Sequence, residues 1–115
     1  MFIIKDDSTM MAVTKGDSAY FTITLTGDIP EDGTQALFTV KEKRTQRTLI
    51  RKDLAVYGGV ISIELGSQDT NKLEPSDPLR NIEYIWDIRV LFSETEVVTP
   101  MVPGVFYVLE AVGDV

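Results

Sequence analysis

The stretch "NIEYIWDIRV", residues 81–90, contains the only tryptophan of the chain and its clearest strand pattern. Side chains alternate between the two faces of a β-strand, so Tyr84, Trp86 and Ile88 share one face. A large aromatic residue among apolar neighbours is typical of a protein core, and we predict that Trp86 is buried there. The alternative is a tryptophan that stacks on a ligand, which requires an exposed ring.

Asp87 and Arg89 lie two residues apart on the opposite face of the same strand. One interpretation is a polar pair on the solvent side, which would add at most about 1 kcal/mol to stability. The other interpretation is a polar contact at an interface between subunits. The sequence leaves both interpretations open.

Short alternating segments recur along the chain at spacings of roughly ten residues, which is typical of a sandwich or barrel. Besides the opening stretch they are "AYFTITLT" (19–26), "ALFTVKEK" (36–43), "TLIRKDLAV" (48–56), "VISIEL" (60–65), "VVTPMVPG" (97–104) and "VFYVLEAV" (105–112). One helical turn is expected around Asp69–Leu73, with Ser67 or Asp69 as its N-cap. The pattern predicts one all-β domain over residues 1–115, an antiparallel β-sandwich of about seven or eight strands.

The inward faces of these strands predict the core and the corners of the sandwich. In such folds a tyrosine near the start of the penultimate strand often anchors a corner by its hydroxyl, and Tyr84 has that position. The predicted core and corner residues are Leu73, Tyr84, Trp86, Ile88, Phe21, Phe38 and Phe106.

Two segments are predicted to be sheet edges. "TLIRKDLAV" carries Arg51, Lys52 and Asp53, and charges of this kind discourage pairing with another chain. Residues 97–109 contain no charged residue, so only their two prolines protect them from pairing. We therefore expect the C-terminal segment to be an edge that is open to assembly.

Composition excludes several classes of chemistry. The chain has no cysteine and no histidine, so it can form neither a disulfide, a thiolate metal site nor a Ser-His-Asp triad. The acidic pairs Asp6-Asp7, Glu31-Asp32 and Glu94-Glu96 lack the spacing of a calcium loop. No glycine motif has a phosphate-binding pattern. We predict no catalytic residue, no metal and no cofactor, and a small-molecule ligand is not expected.

Charge limits the choice of partners. The formal net charge of −7 would repel a nucleic acid. The basic run Lys41–Lys52 stands out on this acidic chain, as either a solvated hairpin or a docking surface for an acidic neighbour. No segment has the roughly 20 apolar residues of a membrane helix, and the apolar run after Met1 is too short for a signal peptide. We expect cytoplasmic synthesis and no membrane partner.

The order of several short motifs resembles the immunoglobulin-like proteins of tailed phages and prophages, and it is similar to the N-terminal domain of phage baseplate upper proteins. A Lys-Gly-Asp opens a strand, an Asp-Thr-x-x-Leu corner precedes a Tyr-x-Trp-Asp-Ile strand, and a Gly-x-Phe-x-Val strand ends the pattern. The matching residues are Lys15, Gly16 and Asp17; Asp69, Thr70 and Leu73; Tyr84, Trp86, Asp87 and Ile88; Gly104, Phe106 and Val108.

The resemblance covers residues 15–108 and implies an immunoglobulin-like sandwich with a structural role in a phage particle. It implies no catalytic residue, synthesis in a bacterial host and assembly into a virion. The expected partners are other phage structural proteins or a second copy of the chain. The alternative function is a carbohydrate- or surface-binding module, with Tyr20, Tyr57 and Tyr107 as the candidate aromatic residues. We place the candidate interface at Asp87, Arg89, Val98 and Met101.

Overall fold

A computed structural model of the protein describes residues 2–4, 10–91, 97–98 and 104–110, and β-strands dominate these ranges. The strands are β1 (Phe2–Ile4), β2 (Met10–Thr14), β3 (Ala19–Gly27), β4 (Thr34–Glu42), β5 (Thr48–Tyr57), β6 (Val60–Leu65), β7 (Tyr84–Leu91), β8 (Val97–Val98) and β9 (Gly104–Leu109). Helical structure in these ranges is limited to the turn α1 (Ser67–Thr70) and a 3₁₀ turn, Pro78–Arg80. The predicted all-β fold is confirmed.

The strands form two layers that are joined along one hairpin. Their order is β1-β3-β6-β5-β4-β7-β9-β2, with β8 beside β7. The link between β5 and β6 consists of only two residue pairs, Val56↔Ile61 and Tyr57↔Val60, next to their turn. We call β1, β3 and β6 sheet I, and β5, β4, β7, β9, β2 and β8 sheet II. Their inner faces share one core, which gives the predicted sandwich.

Strand β2 gives the fold its one parallel pair among the described strands. Met10–Thr14 runs parallel to β9, whereas the other pairs are antiparallel as predicted. Because β9 also pairs with β7, it has neighbours on both sides. The prediction that the C-terminal segment is an open edge is therefore wrong for Gly104–Leu109. Val98 pairs with Val90 through the backbone, while its side chain and Met101 lie outside the described residues.

The other predicted edge is confirmed for most of its length but not for its end, where β6 is a neighbour. Strand β5 pairs with β4 along its length, and it meets β6 only at Val56 and Tyr57. Its remaining outer side has no neighbouring strand among those described. Arg51 and Asp53 on this edge are exposed, which fits the expected protection by charge.

The predicted helical turn is shifted toward the N-terminus. It spans Ser67–Thr70, its N-cap is Gly66, and Asp69 is its third residue. The Asp69 carboxylate accepts a hydrogen bond from the Gly66 N–H at 2.9 Å, so it satisfies that donor from inside the turn. The expected cap at Ser67 or Asp69 was therefore wrong, because glycine occupies the cap and the aspartate reaches back to it.

The core lies where the opening stretch predicted it. Trp86 is 2% exposed, and its ring centroid lies 6.2 Å from that of Phe38 on the neighbouring strand. The other predicted core residues that are fully enclosed, at 0–6% exposure, are Phe38, Leu73, Tyr84, Ile88 and Phe106. Phe21 is only partly buried, because β1 pairs with β3 at Leu25–Gly27 and leaves the first half of β3 uncovered on that side.

We predict that Trp86→Ala lowers the free energy of unfolding by about 3–5 kcal/mol, because the surrounding side chains cannot fill the space. Arg89→Ala on the exposed face of the same strand should change it by no more than about 0.5 kcal/mol. Urea denaturation of both variants measures the two values. Similar losses for both variants would contradict the burial of the tryptophan.

Candidate interaction surfaces

A polar corner joins the β2–β3 turn to the segment after α1. The Lys15 ammonium donates hydrogen bonds to the carbonyl oxygens of Asn71, at 2.8 Å, and Leu73, at 2.6 Å. The last carbonyls of a helical turn lack partners within the turn, so a cation close to them is stabilising. Lys15 is therefore bound into the fold, and it is not an exposed charge that could serve a ligand.

The Thr70 hydroxyl is the second connection in this corner. It accepts a hydrogen bond from the Gly16 N–H at 3.0 Å and donates one to the Asp17 carbonyl at 2.9 Å. Thr70 is 0% exposed, so water does not replace these partners. Gly16 has φ +87°, and a Cβ at this position would lie 3.2 Å from the Asn71 side-chain oxygen. The turn therefore requires glycine.

Tyr84 forms the predicted tyrosine corner. Its hydroxyl accepts a hydrogen bond from the Glu74 N–H at 2.9 Å, ten residues upstream. Burial raises the pKa of Tyr84 above its ordinary value, and the nearby Glu74 and Glu42 carboxylates add to this shift. The hydroxyl therefore stays protonated at neutral pH, where it acts as a structural acceptor.

An ion pair closes the same corner from the side of sheet II. The Lys52 ammonium lies 2.9 Å from the Asp69 carboxylate, whose side chain is 15% exposed. Burial alone would raise the pKa of Asp69, but the bonds from Lys52 and from the Gly66 N–H outweigh it and hold the pKa below its ordinary value of 3.8. This pair connects β5 to α1.

The outer face of sheet II carries an apolar stripe. Val105, Tyr107 and Leu109 alternate along β9 and are 49%, 38% and 46% exposed. Ile85 lies opposite Val105 on β7 and is partly exposed. We call these four residues the β9 stripe. Scattered apolar side chains are normal on a surface, but a contiguous row of them is typical of an interaction site.

Asp87 and Arg89 lie on this outer face, but they are not a pair. The Asp87 carboxylate accepts a hydrogen bond from the Thr39 hydroxyl, which lies directly opposite on β4. Arg89 is exposed, and it forms no ion pair with the acidic groups in the described part of the chain. The interpretation as a solvent-side polar pair is wrong for this reason, and the interface interpretation stays a prediction.

The basic run Lys41–Lys52 is a hairpin, as its first interpretation held. It consists of the end of β4, a turn at residues 43–47 and the start of β5. Lys43 lies 3.7 Å from Glu83, and Arg51 lies 3.6 Å from Asp53. Within residues 10–91, Arg44 and Arg47 form no ion pair, and both are exposed at the tip.

The predicted acidic pairs have different outcomes. Asp32 binds the Gly58 N–H through its carboxylate at 2.8 Å, so it stabilises a turn, and its neighbour Glu31 is exposed. Asp6-Asp7 and Glu94-Glu96 lie outside the described residues. The described residues contain no group of three or more Asp or Glu that could hold a metal ion.

No protein-family model and no curated protein sequence matches the chain. Neither helical element of the described ranges is long and apolar enough to cross a membrane. The described strands define an all-β sandwich.

Sequence reasoning did not identify the roles of Lys15 and Thr70. Both belong to the motifs that carry the phage resemblance, the Lys-Gly-Asp and Asp-Thr-x-x-Leu patterns, and these two motifs contact each other. The available signal was that both motifs belong to the same resemblance, although they lie more than 50 residues apart. Contact between two such distant motifs cannot be deduced from local patterns alone.

We predict that Thr70→Val lowers the free energy of unfolding by about 1–3 kcal/mol, because it leaves the Gly16 N–H without an acceptor. Thr70→Ser keeps the hydroxyl and loses only a methyl group, so it should cost about 1 kcal/mol or less. Urea denaturation compares the two variants. A serine variant as unstable as the valine variant would show that the hydroxyl is unimportant.

We predict a pH-dependent effect of Asp69→Asn. The folded state lowers the pKa of Asp69, so its ion pair stabilises the fold above the unfolded-state pKa, and the stabilisation is lost as pH falls through the folded-state pKa. The variant should therefore be less stable than the wild type at pH 7, and the difference should shrink below about pH 4. Urea denaturation at a series of pH values measures it, and a constant difference would contradict the ion pair.

Proposed function

We propose that this protein is a non-enzymatic structural and assembly module of a tailed-phage or prophage particle, of the baseplate or tail type. Its proposed partners are other phage structural proteins or a second copy of the chain. The resemblance over residues 15–108 supports the phage assignment. Two of its motifs, more than 50 residues apart, meet in one corner, where Thr70 binds Gly16 and Asp17, so these motif residues have a common structural purpose.

The observation that carries the assembly role is the β9 stripe. Strand β9 is the middle of three neighbouring strands, so the stripe lies on the sheet surface and not at a frayed edge. Covering apolar area that is already presented on a rigid sheet stabilises a complex without the cost of ordering a loop. Asp87 and Arg89, from the predicted interface, lie on the same face and can give the contact its orientation.

The carbohydrate-binding alternative requires aromatic rings on one shared platform. Tyr20 lies on β3 of sheet I, near the polar corner, whereas Tyr57 ends β5 at the opposite end of the strands. Tyr107 lies on the outer face of sheet II. Tyr20 therefore belongs to a different sheet, and Tyr57 and Tyr107 lie toward opposite ends of sheet II. No two of these rings share a platform, and we therefore propose no carbohydrate-binding function.

We predict that Tyr107→Lys weakens assembly while Tyr20→Lys does not. Both tyrosines are exposed on strands, at 38% and 59%, but only Tyr107 belongs to the β9 stripe. A buried lysine would oppose contact at the stripe, because its charge loses water without gaining a partner. Light scattering across protein concentration, alone and with the neighbouring particle protein, measures the complex. Equal effects of the two substitutions would reject the stripe as the contact surface.

The phage assignment has a separate test in the genes that flank this one. We expect capsid, portal or tail genes beside it, since genes of one particle are grouped. If metabolic genes flanked it in every genome that carries a close homologue, the phage role would be overturned. The result of the assembly experiment would not be affected.

A further inference from the structure

Four charged side chains surround the middle of β4 on the outer face of sheet II. In one row across the strands, Arg51 of β5 and Asp87 of β7 lie on either side of Thr39. In the next outward row the signs are exchanged, because β5 contributes Asp53 and β7 contributes Arg89. We call these four charged residues the charge quartet. Their formal charges sum to zero, so this part of the face is neutral although the chain as a whole is acidic.

The arrangement of the charge quartet is complementary to itself. Neighbouring strands lie about 4.8 Å apart and successive residues about 3.3 Å apart, so the four positions form a rectangle of roughly 10 by 7 Å. The two positive charges lie on one diagonal and the two negative charges on the other. When a second copy of this rectangle is turned over about an axis parallel to one of its sides, each corner meets a corner of opposite sign. A second copy of the chain therefore carries the matching pattern.

The members of the charge quartet are only partly engaged within the chain. Arg51 lies 3.6 Å from Asp53, but their side chains are 64% and 81% exposed, and such a surface ion pair is weak. Asp87 accepts one hydrogen bond, from the Thr39 hydroxyl, and a carboxylate can accept several. Arg89 is exposed and has no ion pair with the acidic groups of the described ranges. All four groups can therefore bind charges of a partner.

The residues beside the charge quartet determine how the second copy is turned. Lys41 and Ile85 lie in the outward row on one side of it, and Gln35 and Leu91 lie in the row on the other side. A two-fold axis that runs across the strands places Ile85 opposite Leu91 of the second copy, so apolar side chains meet. The same axis places Lys41 opposite Gln35, whereas an axis along β4 would bring the Lys41 side chains of both copies together. The axis across the strands is therefore favoured, because it opposes no like charges.

We propose that the outer face of sheet II binds the same face of a second copy of this chain, across a two-fold axis perpendicular to the strands. Arg51 of each copy then lies opposite Asp53 of the other copy. Likewise, Asp87 of each copy lies opposite Arg89 of the other. This inference rests on the proposed assembly role and deepens it by naming the partner and the register of the contact. Because Ile85 also belongs to the β9 stripe, the contact is continuous with the surface already described.

The symmetry of this contact limits the size of the complex. A two-fold contact uses the same patch on both copies, so it closes at a dimer. Both ion pairs of the register occur twice, which places four ion pairs across the interface. Repulsion between two chains with a net charge of −7 acts over longer distances and is screened beyond about 8 Å at physiological ionic strength. The opposed charges of the two quartets therefore dominate once the faces meet.

The test exchanges the two signs on β5 in the full-length chain. Arg51→Asp alone brings like charges together at both Asp53 positions of the dimer. Arg51→Asp with Asp53→Arg exchanges the signs and restores opposite charges at every corner, so this double variant should again pair with itself. Both side chains are largely exposed, and circular dichroism with urea denaturation checks that each variant folds like the wild type. Arg44→Asp, at the exposed tip of the β4–β5 turn, is a control with the same change of charge.

Light scattering across protein concentration measures the dimer. The wild-type mass should rise from 12.8 kDa toward twice that value. Arg51→Asp should dimerise about tenfold more weakly, since two pairs of like charges then oppose each other, and the double variant should return to within about threefold of the wild type. Arg44→Asp should dimerise like the wild type. The double variant should not pair with the wild type in a mixture, because their β5 signs repel.

Three results would overturn the proposal. A wild type that stays monomeric at high concentration would remove the second copy as the partner. The assembly role would still have its own test in the complex with the neighbouring particle protein. A double variant weaker than Arg51→Asp would reject the register, because an axis along the strands would oppose like charges in that variant. An equal loss in Arg44→Asp would show that only net charge matters. Arg89→Asp, alone and with Asp87→Arg, repeats the test on β7 if a β5 variant does not fold.

Discussion

The hydroxyl of Thr70 and the ammonium of Lys15 hold the two sheets together where no strand pairing does. Among the described strands, backbone pairing joins sheets I and II only next to the β5–β6 turn, through two residue pairs. The opposite end has no such link among the described strands, and the chain has no cysteine for a disulfide. The polar corner lies at this end and joins β2, which belongs to sheet II, to the segment that follows sheet I.

This corner satisfies groups that would otherwise be buried without partners. A short helical turn ends with free carbonyl groups, and the turn before β3 has free N–H groups. Lys15 and Thr70 supply the missing donors and acceptors within the protein. Tyr84 does the same for the Glu74 N–H, from a strand of sheet II. The resulting network ties the start of β7, the strand that also carries Trp86, to the segment that follows α1.

The sequence predicted the elements whose pattern is local. Period-two alternation located β3, β4, β5, β6 and β7, and an aromatic residue among apolar neighbours indicated that Trp86 is buried. Strand β2 was missed because "MMAVT" has no alternating polar residues, and its parallel pairing with β9 depends on residues about 95 positions away. The C-terminal edge was mispredicted for the same reason, since β2 is what covers it.

The surfaces were harder to predict because they depend on register. The spacing along one strand indicated Arg89 as the partner of Asp87. The antiparallel register instead places Thr39 opposite Asp87, and the Thr39 hydroxyl donates its hydrogen bond to that carboxylate. Likewise, the β9 stripe lies in a segment that the sequence predicted to be an edge strand, so its outward apolar face was not recognised. The basic hairpin could be recognised in the sequence. Lys72 and Glu74, which line the pocket beside its turn, are brought there only by the fold.

The proposed contact surface depends on the same long-range pairing. Strand β9 pairs with β7 and with the parallel strand β2, so the outer side chains of the β9 stripe are held in one plane before a partner is present. Little conformational freedom is then lost when the stripe is covered. An open edge strand would offer backbone groups to any other chain, whereas a strand with neighbours on both sides offers only its side chains, and these select the partner.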